Sequence, residues 1–272
     1  MKYIFGSMIA VVLIFGVSYL LAKLIIKRTG QNHRRIKIVI ITVLIGCLLL
    51  VVCGCIYLGN GYHGDDKAEV AMLGNDNVSV SKIEGGYLFD GPSSTTAIIF
   101  YPGAKVDARA YAPLMMRLAE KCDCFLAVMP LNFALFGEDA ADKFIDIYNY
   151  DSWLMAGHSM GGLVAANYAE NHRDFIDGLV LLAAYSTTEL DNDLKVYSIY
   201  GSEDGCLERD VYDQNKSNLP NSTQELVIEG GNHAQFGNYG KQTGDGTATI
   251  SDEEQQRLTV EAVSELFKYM IK

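Results

Sequence analysis

Two long apolar runs open the chain, and short apolar runs alternate with amphipathic stretches over the remainder. Residues 3–26 contain a single charged residue, Lys23, and residues 38–58 contain none. A helix that crosses the hydrocarbon core of a bilayer needs roughly 20 apolar residues. The pattern therefore predicts two transmembrane helices. A signal peptide is the alternative for the first run, although Lys2 is its only leading basic residue and no cleavage site is clear.

The remainder of the chain shows strand and helix patterns in turn. From residue 78, a period-two pattern predicts a hairpin that ends at the turn residues Asp90, Gly91 and Pro92. Short apolar runs then predict buried strands at residues 97–101, 125–129, 153–156, 178–183, 196–200 and 226–228. Helical patterns accompany them at residues 107–121, 138–148, 163–171 and about 251–272. This order predicts an α/β fold with a mostly parallel sheet and helices on both faces.

The pattern also divides the chain into parts. Residues 59–66 are rich in Gly and polar residues, as expected of a short tether. We therefore expect a membrane anchor over residues 1–58, a tether over residues 59–77 and a globular domain over residues 78–272. In a parallel sheet, ligands are expected at the carboxyl ends of the strands.

Charge separates the same parts. Residues 1–58 contain 7 basic residues and no acidic one, which leaves 15 basic against 33 acidic residues, or a net charge of −18, in residues 59–272. Nucleic acid is an unsuitable partner for so acidic a domain, because duplex binding depends on cationic side chains. Basic residues crowd the connector at residues 27–37, and such clusters stay on the cytoplasmic side. The sequence thus predicts a multi-pass protein of the cell membrane with its domain on the extracytoplasmic side.

The six cysteines fall into two groups. Three lie in or at the second apolar run, and the other three, Cys122, Cys124 and Cys206, lie in the domain. Cys122 and Cys124 share one short segment and are poorly placed to join each other, so buried free thiols are expected. A disulfide among these three, and lipidation of Cys55, stay open.

The strongest chemical signal is the run Gly157-His158-Ser159-Met160-Gly161, which matches G-x-S-x-G. It lies between the predicted strand 153–156 and the predicted helix 163–171, which is where this motif forms a nucleophile elbow. There the serine adopts a strained conformation on a sharp turn, and the glycines let strand and helix approach. We expect Ser159 to be a nucleophile.

A serine nucleophile needs a neighbouring base, and two histidines follow Ser159 in the chain. His172 lies within one turn of the end of the elbow helix, which points it away from the strand ends. His233 follows the predicted strand 226–228 in a loop, where it reaches the carboxyl edge of the sheet. His233 is therefore the predicted base.

The base is in turn oriented by a carboxylate. Asp204 lies just beyond the predicted strand 196–200, at the same edge as the other two residues. The adjacent Glu203 is the alternative candidate for this carboxylate. Asp177 and Asp193 precede their strands and fall at the opposite edge. We favour Asp204 as the acid of a Ser-His-Asp triad.

Attack on a carbonyl group also requires donors for the oxyanion. One is expected from the backbone N–H of Met160, the residue after the nucleophile, and the other from the loop after the first core strand. In that loop, Ala104 offers the best second N–H. Lys105 is a candidate substrate contact or a solvated cation.

These features resemble the α/β-hydrolase superfamily over about residues 78–272. The runs Tyr101-Pro102-Gly103-Ala104-Lys105-Val106-Asp107 and Gly231-Asn232-His233-Ala234-Gln235-Phe236-Gly237 are similar to its compact bacterial branch related to dienelactone hydrolases. The resemblance implies an α/β-hydrolase fold and a triad of Ser159, Asp204 and His233, with no metal and no organic cofactor. Dienelactone hydrolases proper use a cysteine nucleophile, whereas position 159 is a serine. The resemblance therefore does not imply a lactone substrate.

The sequence thus predicts a membrane-anchored serine hydrolase that cleaves a carboxylic ester, or a similar acyl bond, of a small molecule through an acyl-enzyme. Residues 129–137 follow a strand and line an apolar pocket, form a small cap or belong to the core; their apolar residues include Pro130, Leu131, Phe133, Leu135 and Phe136. Two other classes stay open: an acyltransferase that uses the same triad with an acceptor other than water, and a non-catalytic surface binding module.

Overall fold

The computed structural model describes residues 2–29, 34–92 and 95–268. The chain divides into two compact units, Met1–Asn60 and Gly61–Lys272. The first unit consists of two helices that pack against each other, α1 (Lys2–Thr29) and α2 (Arg34–Gly59).

Within the described residues, one stretch of helix is long and apolar enough to cross a membrane, Ile36–Gly54 in α2. Many of its large apolar side chains are exposed, as they are in a helix surrounded by lipid. In α1, the apolar stretch among the residues whose side chains are described is Val12–Ile26, which is shorter than a span. The predicted second span therefore has a matching helix, whereas the prediction of two transmembrane helices is not confirmed.

The second unit is built on an eight-stranded sheet with the order β1-β2-β4-β3-β5-β6-β7-β8. The strands are β1 (Ser79–Ile83), β2 (Gly86–Asp90), β3 (Thr96–Tyr101), β4 (Asp123–Ala127), β5 (Ser152–His158), β6 (Ile176–Leu182), β7 (Lys195–Gly201) and β8 (Gln224–Ile228). The β1–β2 and β2–β4 pairs are antiparallel, and all other neighbours are parallel. The mostly parallel α/β sheet predicted from the sequence is confirmed.

Both faces of the sheet are covered. Along the central strand β3, Ile98 and Phe100 enter one apolar cluster, and Ile99 and Tyr101 enter the other. The helices of the second unit are α3 (Asp66–Ala71), α4 (Ala112–Ala119), α5 (Asp142–Ile145), α6 (Met160–Asn171), α7 (Arg209–Asn215) and α8 (Asp252–Lys268). Residues of α4 and α8 lie in the first cluster, and residues of α6 lie in the second. Burial on both faces explains why the strands are almost continuously apolar.

Two predicted helices are shorter than their sequence pattern. The first pattern begins with a 3₁₀ turn, Ala108–Tyr111, which Asp107 caps by accepting a hydrogen bond from the N–H of Arg109. The second contains only the short α5 after another 3₁₀ turn. There the buried hydroxyl of Tyr101 donates to the carbonyl of Glu138 and accepts from the N–H of Ala141, so these backbone groups bond to a side chain.

The segment predicted as a tether, residues 59–77, contains α3 and joins the second unit through its backbone. The N–H of Tyr62 donates to the carbonyl of Lys105, and the carbonyl of Tyr62 accepts from the N–H of Asp107, both at 2.8 Å. The N–H of Asp65 donates to the carbonyl of Asn238. The start of this unit is thus bonded to the loop that follows β3.

Candidate active site

Ser159 occupies the turn between β5, which ends at His158, and α6, which begins at Met160. Its backbone has φ 53° and ψ −125°, a left-handed conformation that is uncommon for a residue other than glycine. The N–H of Ser159 donates to the carbonyl of Leu182 at 2.9 Å, and the residue is partly exposed. This is the strained strand-to-helix turn that the motif predicts.

Two glycines of the motif allow the backbone to pack closely around the turn. A Cβ atom added at Gly157 would lie 2.5 Å from the carbonyl carbon of Gly161. A Cβ atom added at Gly161 would overlap the carbonyl oxygens of Tyr101 and Pro102. Only glycine therefore lets the start of α6 approach both its own strand and the loop after β3.

Asp204 and His233 lie together at the same edge of the sheet, in the loops after β7 and β8. His233 Nδ1 is 2.9 Å from Asp204 Oδ2, and the two side chains are 3% and 0% exposed. The other oxygen, Asp204 Oδ1, accepts hydrogen bonds from the N–H groups of Cys206 and Leu207 at 2.9 and 2.7 Å. The adjacent Glu203 is exposed and hydrogen-bonds with Ser202 instead. Of the two candidate acids, the structure thus brings Asp204 to the imidazole.

The imidazole of His233 also lies against the elbow. Its ring centroid is 4.4 Å from that of His158, the residue that precedes Ser159. Within the part of the chain that the structure describes, the hydroxyl of Ser159 makes no hydrogen bond. In enzymes without substrate, catalytic hydrogen bonds are often long and tighten only in the complex.

The two backbone groups predicted as oxyanion donors have no acceptor among the described residues. The N–H of Met160 is at the first position of α6, where a helix leaves its N–H groups unpaired. The N–H of Ala104 is likewise unpaired, and both residues are partly exposed. Met160 directly follows Ser159, and Gly103, the residue before Ala104, lies against His158, so these two N–H groups stay the predicted oxyanion donors.

The loop that carries Ala104 is bonded on two sides. The N–H of Lys105 donates to the carbonyl of Asn132 at 2.7 Å, and both residues have left-handed backbones, with φ 64° and 56°. From the opposite side, Tyr62 bonds to Lys105 as described above. Lys105 is partly exposed and lies in this loop at the carboxyl end of β3.

A buried hydroxyl, which the sequence did not reveal, joins this loop to the elbow. Tyr111 Oη accepts a hydrogen bond from the N–H of Gly103 at 3.0 Å and lies 2.8 Å from Nδ1 of His158. Burial raises the pKa of Tyr111, so its hydroxyl is protonated and donates to Nδ1. Burial, together with the neighbouring His233, lowers the pKa of His158 well below its ordinary value. His158 is therefore neutral and carries its proton on Nε2, a buried atom with no partner within the described structure.

Other residues singled out from the sequence lie away from this constellation. His172 is at the far end of α6, where its Nδ1 bonds to the carbonyl of Tyr168 and its ring stacks on that tyrosine. Cys122, Cys124 and Cys206 are free thiols, and the Cys122 and Cys124 sulfur atoms are 3.9 Å apart. The side chain of Cys55 lies outside the described residues. Over the described ranges, no group of three or more His, Cys, Asp or Glu residues is arranged to hold a metal ion.

The segment after β4 places apolar side chains on the surface at the same edge of the sheet. Leu131, Leu135 and Phe136 are 62%, 60% and 64% exposed, whereas Met129 and Ala134 are buried. Residues 129–137 therefore contribute both to the core and to an exposed apolar surface. The Asn132–Lys105 hydrogen bond joins this surface to the loop that carries Ala104.

Comparison with known proteins agrees with this architecture. Similar solved structures include Est1E from Butyrivibrio proteoclasticus, with 15% identity over 72% of this chain and 99% of that one and a TM-score of 0.51. An esterase from Mycobacterium tuberculosis has 12% identity over 75% of this chain and 95% of its own, with a TM-score of 0.51. The carboxylesterase CesB from Bacillus subtilis has 9% identity over 73% and 95%, with a TM-score of 0.50. At these identities the likeness shows the fold alone.

Sequence comparison is more specific about the family. No curated protein matches the chain significantly. A model of the alpha/beta hydrolase family matches residues 97–257, which is more than half of the chain and includes the elbow and both loops of the Asp204–His233 pair. The chain therefore belongs to the alpha/beta hydrolase family.

Proposed function

We propose that this protein is a serine hydrolase that cleaves carboxylic esters through an acyl-enzyme. Ser159 is the nucleophile, His233 the general base and acid, and Asp204 the residue that orients the imidazole. The observation that carries the proposal is the 2.9 Å contact between Asp204 Oδ2 and His233 Nδ1, next to the strained turn that holds Ser159. A hydroxyl of ordinary pKa needs such an oriented base to become a nucleophile.

The proposed reaction uses the groups of this site in sequence. Ser159 Oγ attacks the carbonyl carbon of the ester while its proton passes to Nε2 of His233. The oxygen of the tetrahedral intermediate accepts hydrogen bonds from the N–H groups of Met160 and Ala104. When the intermediate collapses, the proton on Nε2 goes to the leaving alcohol, and an acyl-Ser159 ester remains. Water then attacks this ester with the same assistance and releases the acid.

Asp204 acts in this scheme by fixing which nitrogen of His233 carries a proton. A carboxylate can only accept, so Nδ1 of His233 keeps its hydrogen and Nε2 is free to take the proton of Ser159. The same carboxylate stabilises the imidazolium that forms as the proton moves.

The substrate class follows from the surroundings of the site. Leu131, Leu135 and Phe136 offer an apolar surface for the acyl or alcohol part of a small ester. Two solved structures of similar fold are described as an esterase and a carboxylesterase, which favours ester cleavage over other acyl chemistry. A closer relation to the dienelactone hydrolase branch belongs to the same proposal, without its lactone substrate.

The proposed location is the extracytoplasmic side of the cell membrane, to which residues 3–26 and 38–58 attach the enzyme. The apolar helix Ile36–Gly54 and the basic residues between the two apolar runs support this topology. Protease added to intact cells should remove the second unit, whereas protection of that unit would contradict the orientation.

The central experiment compares Ser159→Ala with the wild type on short p-nitrophenyl esters. We expect turnover to fall to background and labelling by a fluorophosphonate probe to disappear, because the probe reacts with the activated hydroxyl. Ser217→Ala is the matched control, since Ser217 is exposed and its hydroxyl bonds only to the carbonyl of Gln214. Undiminished hydrolysis by Ser159→Ala would refute the proposal. Unlabelled and inactive wild-type protein would point to a binding module.

A further inference from the structure

The loop between His233 and α8, residues 237–250, lies against both loops that hold the Asp204–His233 pair. The N–H of Thr249 donates to the carbonyl of Gly230 at 2.8 Å, and Asn232 Nδ2 donates to the carbonyl of Gly246 at 2.9 Å. A Cβ atom added at Gly205 would lie 2.6 Å from the carbonyl oxygen of Gly244. The 237–250 loop is therefore in backbone contact with the segments on each side of the pair.

Within this loop, the carboxylate of Asp245 bonds to both segments at once. Asp245 Oδ1 accepts from the N–H of Gly205 at 3.1 Å and from the N–H of His233 at 3.2 Å. Its other oxygen, Oδ2, accepts from the N–H of Ala234 at 2.9 Å. Gly205 directly follows Asp204, so one carboxylate bridges the backbones of the acid and of the base.

We propose that Asp245 is a positioning residue for the proposed triad and fixes the separation of Asp204 and His233. The inference rests on the proposed function, and it assigns Asp245 no contact with the substrate. Hydrogen bonds from N–H groups to a carboxylate are shorter and stronger than those to a neutral acceptor. With Asp245 in place, the loops after β7 and β8 share one anchor, and the Nδ1–Oδ2 distance follows from it.

The bridge depends on the accepting oxygens of a side chain of this length. In Asp245→Asn, an amide oxygen at the Oδ1 position would keep the bonds from Gly205 and His233, and the NH₂ group would face the N–H of Ala234, so the bridge is weakened but not removed. Ala would remove these three bonds and a fourth from the N–H of Gly246, and Glu would place its oxygens one methylene further out. Small displacements matter here because a misplacement of about 1 Å can cost on the order of 10²-fold in rate.

The test measures kcat and KM of the full-length chain for p-nitrophenyl acetate. The value of kcat is expressed per active site, and the active sites are counted by titration with a fluorophosphonate. A folding defect then does not mimic a loss of turnover. We expect kcat to fall about 10- to 100-fold in Asp245→Ala and less in Asp245→Asn, with KM nearly unchanged. Asp245→Glu should recover part of the loss. A kcat of Asp245→Ala within about twofold of the wild type would overturn the proposal.

Asp65→Asn is the matched control. Asp65 lines the same cavity of about 340 Å³ as Asp245 and caps α3 by accepting from the N–H of Ala68. Within the described structure its side chain hydrogen-bonds to neither Gly205, His233 nor Ala234, so the kcat of Asp65→Asn should stay at the wild-type value. An equal loss of kcat in Asp65→Asn would show that any carboxylate of this cavity matters, and would also overturn the proposal.

A second measurement separates this inference from the proposed function. The hydrogen on His233 Nδ1 that faces Asp204 should give a far-downfield proton resonance in the wild type and in Ser159→Ala. We expect Asp245→Ala to broaden or abolish it, and an unchanged resonance in that variant would contradict the bridging role. If the wild type hydrolyses no ester, the proposed function fails, and this resonance still decides whether Asp245 holds the pair together.

Discussion

The hydroxyl of Tyr111 lies 2.8 Å from Nδ1 of His158 and joins the loop after β3 to the turn of Ser159. Because the same hydroxyl also accepts from the N–H of Gly103, the open N–H of the next residue, Ala104, has a fixed position relative to the elbow. One buried oxygen thus couples the proposed nucleophile to one of its proposed oxyanion donors.

Replacing Tyr111 by Phe should weaken both stability and turnover. The ring still fills its place, but a buried N–H and a buried imidazole nitrogen lose their partner, which costs about 1–3 kcal/mol. We expect kcat for short esters to fall about tenfold or more, because the Ala104 N–H is no longer fixed. Tyr197→Phe is the control, since the Tyr197 hydroxyl makes no hydrogen bond within the described residues. Equal kcat values for the two variants would contradict the coupling.

Asp204→Asn should nearly abolish turnover although it changes a single atom. The oxygen of the new amide is required at the Oδ1 position, where two N–H groups donate, so its NH₂ group faces His233. Nδ1 of His233 must then become the acceptor and Nε2 carries the hydrogen, the wrong tautomer for a base. We expect kcat to fall about 10³- to 10⁴-fold, as in other triads.

The control for this variant is the neighbouring carboxylate. Glu203 is exposed, so Glu203→Gln should leave kcat within about twofold of the wild type in the same ester assay. A larger loss in Glu203→Gln than in Asp204→Asn would exchange the roles proposed for these residues.

The depressed pKa of His158 predicts a loss of stability in acid. In the unfolded chain this histidine has a pKa of about 6.5, whereas burial keeps it neutral in the folded protein. Below about pH 6.5 the unfolded state therefore binds a proton that the folded state does not, and stability falls as pH falls. Between pH 7.5 and 5.5 the upper limit of this loss is about 1.4 kcal/mol, reached when the folded protein binds no proton at His158.

The measurement uses the only tryptophan of the chain, Trp153, which is buried in β5 and reports on the second unit. Urea unfolding at both pH values should show a greater drop in the free energy of unfolding for the wild type than for His158→Gln, by up to about 1.4 kcal/mol. Equal drops in the two proteins would mean that His158 takes up its proton in the folded state.

Gly161→Ala should disrupt the elbow. The added methyl group would overlap the carbonyl oxygens of Tyr101 and Pro102, so α6 or the loop after β3 has to move. We expect a loss of stability of about 1–3 kcal/mol and a strong loss of ester hydrolysis, measured by urea unfolding and by kcat. Gly54→Ala is the control, because a Cβ atom at Gly54 meets nothing within 4 Å. Full activity of Gly161→Ala would contradict the close approach.

The strands and the elbow could be predicted from the sequence because their signals are local. A buried parallel strand is an unbroken apolar run, and the predicted run at residues 196–200 lies within Lys195–Gly201. The G-x-S-x-G motif constrains its own turn, so the strained backbone of Ser159 followed from five consecutive residues. The pairing of Asp204 with His233 was inferred from strand-end positions alone, and the structure places these two side chains in contact.

The features that the sequence did not reveal depend on distant backbone groups. Asp245 bonds only to N–H groups, and a Gly-Asp-Gly run reads as an ordinary turn. Tyr111 fits the apolar pattern of a helix, and no neighbouring residue in the sequence indicates that its hydroxyl hydrogen-bonds with His158. The pattern at residues 138–148 predicts one helix. Two backbone groups of this segment, the carbonyl of Glu138 and the N–H of Ala141, instead bond to the hydroxyl of Tyr101, which lies 37 positions before Glu138.

Tyr62 has a consequence for release of the proposed hydrolase from its proposed membrane segment. Both of its backbone groups bond to the loop that carries Ala104, so the stretch just after residue 60 is already a structural part of the second unit. A shedding protease that cut before Gly61 would free a soluble enzyme with that loop still supported. Cleavage a few positions later, beyond Asp65, would remove the support and yield a released but impaired fragment.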